Sequence, residues 1–193
     1  MKVFFSSPIR GVNEIKNYIE EIDKTILSLG HKRLDNVLER ISNANFYDTL
    51  DKGGKKAHAD FFEKTIKGIK EADVVIFECS IPSLGIGFQV EKSLDYNKPT
   101  IILYYKDNIP HFFSGTSHDK LFIYRYDKNN ISSVISNAIE EARHAADKRF
   151  NFFISPSLLS YLEEESSQHG LTKSSFIRGL ILEHLKKHKK TKI

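Results

Sequence analysis

The sequence predicts a doubly wound α/β domain of five parallel strands, followed by a small strand–helix–helix module. Over residues 1–145, short apolar runs rich in β-branched residues alternate with longer segments of helical periodicity, a pattern typical of a parallel sheet covered by helices. After residue 147 the pattern changes to one alternating segment and two amphipathic ones. The 193 residues, 40% of them hydrophobic, are enough for one core of ordinary size and a small extra module.

The run Val-Val-Ile-Phe at residues 74–77 predicts the central strand, because an unbroken apolar run of this length indicates a strand that is buried on both faces. The predicted strands cover residues 2–5, 37–41, 73–78, 99–105 and 121–126. Strands that alternate with helices in this way imply a doubly wound sheet in the flavodoxin-like order.

Four segments with apolar residues three and four positions apart predict the helices of the domain. They cover residues 12–29, 57–71, 87–96 and 130–146. Residues 43–56 are polar and contain Gly53-Gly54, which predicts a surface insertion with a turn between the second strand and the second helix.

The segment after the central strand is a candidate anion site. Ser83 interrupts the strand pattern, Gly85 and Gly87 allow a tight turn, and a helix then begins. Strand, glycine turn and helix is a usual way to aim unpaired backbone N–H groups at a phosphate. The alternative is an ordinary connection between strand and helix with no ligand, because such turns occur in every α/β sheet.

The cysteine and histidine content indicates no disulfide and no metal site. Cys79 is the one cysteine, which predicts a reducing compartment; beside an apolar strand it is expected to be a buried packing thiol rather than a nucleophile. The eight histidines show no metal-ligand spacing. We expect a cytoplasmic protein without cofactors, since no apolar run approaches the length of a membrane span.

The basic residues are concentrated at the C-terminal end. Residues 143–193 contain ten Lys and Arg against five Asp and Glu, a net charge of +5, whereas the whole chain carries +4, which leaves −1 for residues 1–142. A nearly neutral domain followed by a basic module predicts that any polyanion binds to the module.

The first 145 residues resemble the nucleoside 2-deoxyribosyltransferase superfamily, and are nearest to its 2′-deoxynucleoside 5′-phosphate N-hydrolases. The resemblance rests on Ala-Asp-Val-Val at residues 72–75, on Glu78, and on Pro-Ser-Leu-Gly-x-Gly at residues 82–87. Residues 2–11 are similar to the family's opening strand and phosphate loop. The resemblance implies a nucleotide ligand whose phosphate is bound by the following residues: Arg10, Gly11, Ser83, Gly85 and Gly87. A surface salt bridge is the alternative role for Arg10.

The chain departs from the family at the residues that carry the chemistry. The position of the nucleophilic glutamate is taken by Gln89, and that of its partner aspartate by Thr65. Further family positions with hydroxyl groups fall on residues that have none: Phe4, Pro8 and Pro110. An amide is a poor nucleophile, so the resemblance implies a pseudoenzyme that binds a nucleotide. Glu78 matches a glutamate of the family, and we expect it to be a structural hydrogen-bond acceptor.

The C-terminal module resembles the ribbon-helix-helix fold of Arc-type repressors. Arg149-x-Asn151 matches the ribbon, and residues 170–178, Gly-Leu-Thr-Lys-Ser-x-x-Ile-Arg, match the turn between the two helices. The resemblance divides the chain into a ligand domain (residues 1–146), a dimerisation and DNA-binding domain (147–188) and a basic tail (189–193). A unit this small cannot bury its apolar faces alone, which predicts a dimer or a dimer of dimers.

In the ribbon-helix-helix family the ribbon enters the major groove of DNA, where Arg reads guanine and Asn reads adenine. The resemblance therefore implies that Arg149, Asn151 and Phe153 face the bases, and that Thr172 and Lys173 hold phosphates. Phe153 stands where a polar residue is usual. It either contacts a thymine methyl group or indicates that the ribbon serves dimerisation only.

Together these patterns predict a nucleotide-sensing, DNA-binding transcription regulator with a catalytically impaired ligand domain. One alternative is an active nucleoside or nucleotide N-glycosidase, a hydrolase or transferase, whose C-terminal module only oligomerises. Another is an interaction protein of the antitoxin kind. The composition excludes a membrane protein and a disulfide-stabilised scaffold.

Overall fold

The computed structural model describes residues 1–145 and 152–190, with no side-chain description for residues 186 and 188–190. The chain divides into two compact units, Met1–Asp147 and Lys148–Ile193. Within the described ranges, no helix has the length and apolar character needed to cross a membrane.

The first unit is built on a five-stranded, all-parallel sheet with the strand order β2-β1-β3-β4-β5. This is the flavodoxin-like order, so the predicted fold class is confirmed. The strands are β1 (Lys2–Ser6), β2 (Lys32–Arg33), β3 (Val74–Glu78), β4 (Thr100–Tyr105) and β5 (Leu121–Tyr126).

Helices cover both faces of the sheet, and the strands alternate their side chains between two cores. On one face, Val3 and Phe5 of β1 join the core formed with the helices α1 (Lys16–Ser28) and α6 (Ile131–Ala145). On the other face, Phe4 joins the core formed with α3 (Phe46–Glu71) and α4 (Leu84–Asp95). The remaining helices of this unit are a short 3₁₀ turn (Val12–Glu14), α2 (Val37–Ser42) and α5 (His111–Ser114).

The prediction of a strand over residues 37–41 is wrong. Val37–Ser42 is the helix α2, and the second strand is the two-residue segment Lys32–Arg33. The side chain of Asn36 caps α2 by accepting a hydrogen bond from the backbone N–H of Glu39, at 3.4 Å. The apolar residues of this short segment also have helical spacing, since Val37 and Ile41 lie four positions apart.

Two helices begin earlier than predicted. α3 starts at Phe46, so most of the expected surface insertion is helical, and Gly54, with φ of 61°, makes a kink inside it. α4 starts at Leu84 rather than residue 87, because Ser83 caps it by accepting a hydrogen bond from the N–H of Ile86. Both glycines of the predicted turn therefore lie inside the first turn of α4.

The second unit contains two helices, α7 (Pro156–Gln168) and α8 (Lys173–Lys190). Gly170, with φ of 65°, forms the turn between them, and the hydroxyl of Thr172 accepts a hydrogen bond from the N–H of Ser175, at 3.2 Å, as expected of a cap. Of the predicted ribbon strand, residues 149–151 lie outside the described residues. Residues 152–155 have no regular secondary structure in the single chain.

Candidate functional site

A cavity of about 300 Å³ lies at the carboxyl ends of β1 and β3. In a sheet of this order the chain reverses its direction of winding between these two strands, and the crevice there is the usual ligand site. The cavity is lined by Ser6, Ser7, Pro8, Ile9, Arg40, Tyr47, Phe61, Thr65, Ser83, Gly85, Ile86 and Gln89.

The first turn of α4 forms one wall of this cavity. The first backbone N–H groups of a helix have no partner within the helix, and the helix dipole favours an anion beside them. Ser83 and Gly85 line the cavity at this point, so backbone donors and the Ser83 hydroxyl stand where a phosphate is expected.

The structure brings several predicted site residues together and leaves others apart. Gln89, Thr65, Ser83 and Gly85 line the same cavity. Gly87 and Pro110 instead line a neighbouring groove of about 510 Å³, which shares Ser83 and Ile86 with the cavity. Arg10 and Gly11 line neither.

Arg10 is exposed and lies at the edge of the site. Its guanidinium carbon is 4.0 Å from the centroid of the Tyr47 ring, a cation–π arrangement. Tyr47 lines the cavity, as do Pro8 and Ile9, which precede Arg10 in the chain. This contact uses the face of the guanidinium group, whereas its N–H donors lie in its plane, so the stacking is compatible with the phosphate-binding role predicted for Arg10.

Phe4 fills the core beneath the site. It is buried on the face of β1 that packs against α3, and a methyl group added at Gly68 of α3 would stand 2.7 Å from the Phe4 ring. α3 approaches the sheet this closely because residue 68 is a glycine. No hydroxyl group reaches the cavity from this position of the first strand.

The cavity contains no carboxylate among the described residues that line it. Thr65 donates its hydroxyl hydrogen bond to the carbonyl of Phe61, one turn back in its own helix, at 2.8 Å. The Oε1 atom of Gln89 is buried and has no hydrogen-bond partner. The two positions that would hold an acid pair in the family hold neutral side chains here.

Arg40 lines the cavity and is a candidate site residue that the sequence did not reveal. Its two terminal nitrogens pair with the two carboxylate oxygens of Asp35, at 2.7 and 2.6 Å, and the side chains are only 14% and 9% exposed. Arg40, Phe61 and Thr65 also line a second cavity of about 320 Å³. No local pattern marks Arg40, because its position follows from the α2 helix, which was predicted as a strand.

Glu78 lies at the end of β3 in a separate buried network. Its Oε1 atom accepts hydrogen bonds from the hydroxyl groups of Ser80 and of Tyr126, the latter at 3.1 Å, and the backbone N–H of Ser80 also donates to it, at 3.2 Å. Burial raises the pKa of the Glu78 carboxyl from 4.5 to about 7, although the hydrogen bonds from Ser80 and Tyr126 lower it. Glu78 lines neither the cavity nor the groove.

Cys79, which lines the groove, is unsuited to nucleophilic chemistry. Burial, with a smaller effect from the Glu78 carboxylate, raises the pKa of its thiol well above the usual range, so the thiolate is not formed at neutral pH. In the described part of the chain, no group of three His, Cys, Asp or Glu side chains is placed to hold a metal ion.

The predicted DNA-binding residues of the second unit are only partly described. Arg149 and Asn151 lie outside the described residues. Phe153 is fully exposed. Thr172 caps α8, and Lys173 donates to a carboxylate oxygen of Glu163, at 2.6 Å.

Comparisons with known proteins find chains of similar fold among the solved structures. No family model matches it, and no curated protein matches it. Among solved structures, the CMP N-glycosidase BcmB of Clostridium botulinum is similar over 71% of this chain and 97% of its own, with a TM-score of 0.46 and 16% identity.

Two further solved structures are similar at comparable levels. A designed Rossmann 2x3 fold protein covers 78% of this chain and 98% of its own, with a TM-score of 0.44 and 17% identity. Smu.1420 of Streptococcus mutans UA159 covers 75% of this chain and 100% of its own, with a TM-score of 0.36 and 12% identity. At these identities the similarity concerns the arrangement of strands and helices and not the chemistry of a site.

Proposed function

We propose that this protein is a nucleotide-sensing, DNA-binding regulator. Its first unit binds a phosphorylated nucleoside without cleaving the glycosidic bond at an enzymatic rate, and its second unit binds DNA as a dimer. The first half rests on a cavity at the ligand-binding edge of a flavodoxin-like sheet, with a helix N-terminus on one wall and no carboxylate among the described residues that line it.

The shape and lining of the cavity support a nucleotide. The first turn of α4 offers donors for a phosphate, and the remaining walls combine the aromatic rings of Tyr47 and Phe61 with the polar groups of Arg40 and Gln89. Small-molecule sites commonly have such a lining, with apolar surface and a few placed polar groups. The aromatic rings suit a base, the polar groups suit a sugar, and the first turn of α4 suits a phosphate.

The side chains at the site support binding without catalysis. Hydrolysis of a glycosidic bond ordinarily uses a pair of carboxyl groups, one as nucleophile or base and one as acid. Gln89 and Thr65 supply neither, Asp35 is paired with Arg40, and Glu78 is fully buried in the core. We therefore place the active N-glycosidase second.

The second unit supports a dimer through its unburied apolar residues. Large apolar side chains are exposed on both of its helices, each at 38% or more: Leu158, Leu159, Tyr161, Leu180, Ile181, Leu182 and Leu185. A stable protein seldom leaves such a surface to solvent. A second copy of the module, as in a ribbon-helix-helix dimer, would cover these side chains and set the two basic ribbons side by side.

The proposal of a binding domain is tested by calorimetry on the full chain with the four common nucleoside 5′-monophosphates, followed by chromatography for released base. We expect saturable binding of at least one nucleotide, weaker binding of the matching nucleoside, and base release slower by several orders of magnitude than that of an active N-glycosidase. Turnover at an ordinary enzymatic rate would contradict the pseudoenzyme and favour the active glycosidase.

A further inference from the structure

Two buried polar atoms of the cavity wall have no hydrogen-bond partner within the described structure. One is Oε1 of Gln89, an acceptor, and the other is Nε of Arg40, a donor. Both side chains line the same cavity of about 300 Å³. Buried polar groups without partners are rare, because each costs roughly 1–3 kcal/mol of desolvation. Two such atoms in the wall of one cavity are therefore candidates for contacts with a ligand.

The guanidinium group of Arg40 is fixed in its orientation. Asp35 accepts from both terminal nitrogens, at 2.7 and 2.6 Å, and the guanidinium carbon lies 5.8 Å from the centroid of the Phe61 ring. This end-on pairing offsets the charge of Arg40 and does not involve its Nε–H, which has no partner among the described residues. Arg40 is therefore suited to a neutral acceptor more than to a second anion.

Gln89 requires a partner of a different kind from a phosphate. A phosphate dianion has acceptor oxygens only, so it cannot donate to the Oε1 atom of Gln89. A hydroxyl group both donates and accepts, and it satisfies Gln89 in either orientation of the side-chain amide. Gln89 also follows Gly85 by one helical turn, which places it deeper along α4 than the phosphate-binding first turn.

We propose that Gln89 and Arg40 together bind hydroxyl groups of the ligand's sugar, so that the site selects a ribonucleotide over a nucleotide that lacks one of those hydroxyls. This inference rests on the proposed nucleotide-binding function. A site that hydrogen-bonds a hydroxyl rejects the analogue without it, because its own buried groups are then left unpaired and dehydrated. The family that the sequence resembles is named for deoxyribosyl substrates, so the proposed selectivity is the opposite of the one in that name.

The test is isothermal calorimetry on the full chain with AMP, CMP, GMP and UMP and with the 2′-deoxy and 3′-deoxy form of whichever binds most tightly. We expect removal of at least one of the two hydroxyls to weaken binding by about 10-fold or more. In Gln89→Leu the ratio between the ribonucleotide and that deoxy form should fall towards one. The matched control is Gln168→Leu, a substitution at the end of α7 in the other unit, which should keep the wild-type ratio.

The outcomes separate the two proposals. If nucleotides bind and both deoxy forms bind as tightly as the ribonucleotide, the hydroxyl inference is overturned and the nucleotide-binding function stands. If none of the four nucleotides binds, both are overturned. If Gln89→Leu fails to fold, which circular dichroism would reveal, the affinities of the wild type for the ribonucleotide and its deoxy forms still test the hydroxyl inference.

Discussion

At residue 89 the chain has an amide on the cavity wall, one helical turn after Gly85 in the first turn of α4. An amide and a carboxylate have almost the same shape, and they differ in charge and in nucleophilicity. Thr65 faces the same cavity, but its hydroxyl donates to its own helix. The proposed loss of catalysis therefore depends first on these two side chains.

The double substitution Gln89→Glu with Thr65→Asp restores both missing carboxyl groups at once. We expect it to release base from a bound nucleotide faster than the wild type, because a nucleophile and its partner acid are then both present. Quantification of free base over time by liquid chromatography measures the change. Gln89→Asn with Thr65→Ser, which adds no carboxylate, is the matched control. Rates that are equal in both pairs would show that Phe4 and Pro8 also prevent the chemistry.

Glu78 makes the stability of the first unit depend on pH. Its carboxyl has a pKa of about 7 in the folded chain, against a usual value of 4.5, so the folded state holds an extra proton between these pH values. The protonated Glu78 therefore contributes on the order of 3 kcal/mol to the free energy of unfolding. This contribution is complete below about pH 4.5 and is lost as the pH rises through 7.

Urea unfolding of the wild type and of Glu78→Gln at intervals between pH 5 and 8 measures this contribution. The difference in free energy of unfolding between the two proteins should change steadily in favour of Glu78→Gln as the pH rises, because the amide never ionises. A constant difference over this range would contradict the raised pKa.

Among the secondary-structure elements, four of the five strands were predictable from the sequence, and the edge strand β2 was not. The apolar runs of β3, β4 and β5 are long enough to identify strands, and the alternation of Val3, Phe4 and Phe5 between two cores follows from the strand period. β2 has only two residues and gives no periodic signal. The next segment, residues 37–41, was predicted as a strand because five residues are too few to distinguish helical periodicity from the alternation of a strand.

The candidate site was predictable where its residues belong to segments with a local sequence pattern. Ser83, Gly85, Thr65 and Gln89 belong to motifs or helices with a local pattern, and the structure places them at one cavity. Arg40 reaches that cavity only through the unpredicted helix α2 and its pairing with Asp35. Contacts that depend on tertiary packing leave no periodic trace in the sequence.

The close packing of α3 on β1 predicts that a larger residue at position 68 destabilises the first unit. An alanine at residue 68 would place its methyl group 2.7 Å from the Phe4 ring, and we expect Gly68→Ala to lower the free energy of unfolding by about 1–3 kcal/mol. Gly179→Ala is the control, because nothing lies within 4 Å of a methyl group there and alanine favours a helix. Thermal unfolding followed by circular dichroism measures both; equal effects would contradict the close approach of α3 to the sheet.

At the scale of the whole molecule, the proposed function assigns each unit a different partner. The first unit is nearly neutral, while the basic excess of the chain belongs to residues 143–193. A basic module attracts nucleic acid phosphates. The apolar residues on α7 and α8 are exposed in the single chain, which is the expected state of a module that completes its core with a second copy.

A chain shortened to residues 1–146 should therefore lose at least one subunit contact. We expect light scattering to give a dimer or a larger assembly for the full chain and a smaller number of subunits for the shortened one, because the apolar helices are removed. Leu180→Glu together with Ile181→Glu in the full chain should have the same effect without truncation. An unchanged number of subunits in both would contradict the dimerisation role of the second unit.

Coupling of nucleotide binding to DNA binding within one chain is tested by measuring DNA binding with and without the nucleotide. A duplex selected from random sequence is titrated by fluorescence anisotropy at two salt concentrations, against the wild type, Arg149→Ala and Asn151→Ala. We expect each variant to bind the selected duplex about 1–3 kcal/mol more weakly and random DNA nearly as well.

Saturating nucleotide should change the wild-type Kd for the selected duplex by about 5-fold or more, with the reciprocal change in nucleotide affinity. If no duplex is enriched and Asn151→Ala changes binding to no duplex, the module is a dimerisation device only. If a duplex is bound with the same Kd with and without nucleotide, the coupling is contradicted and the DNA-binding role stands.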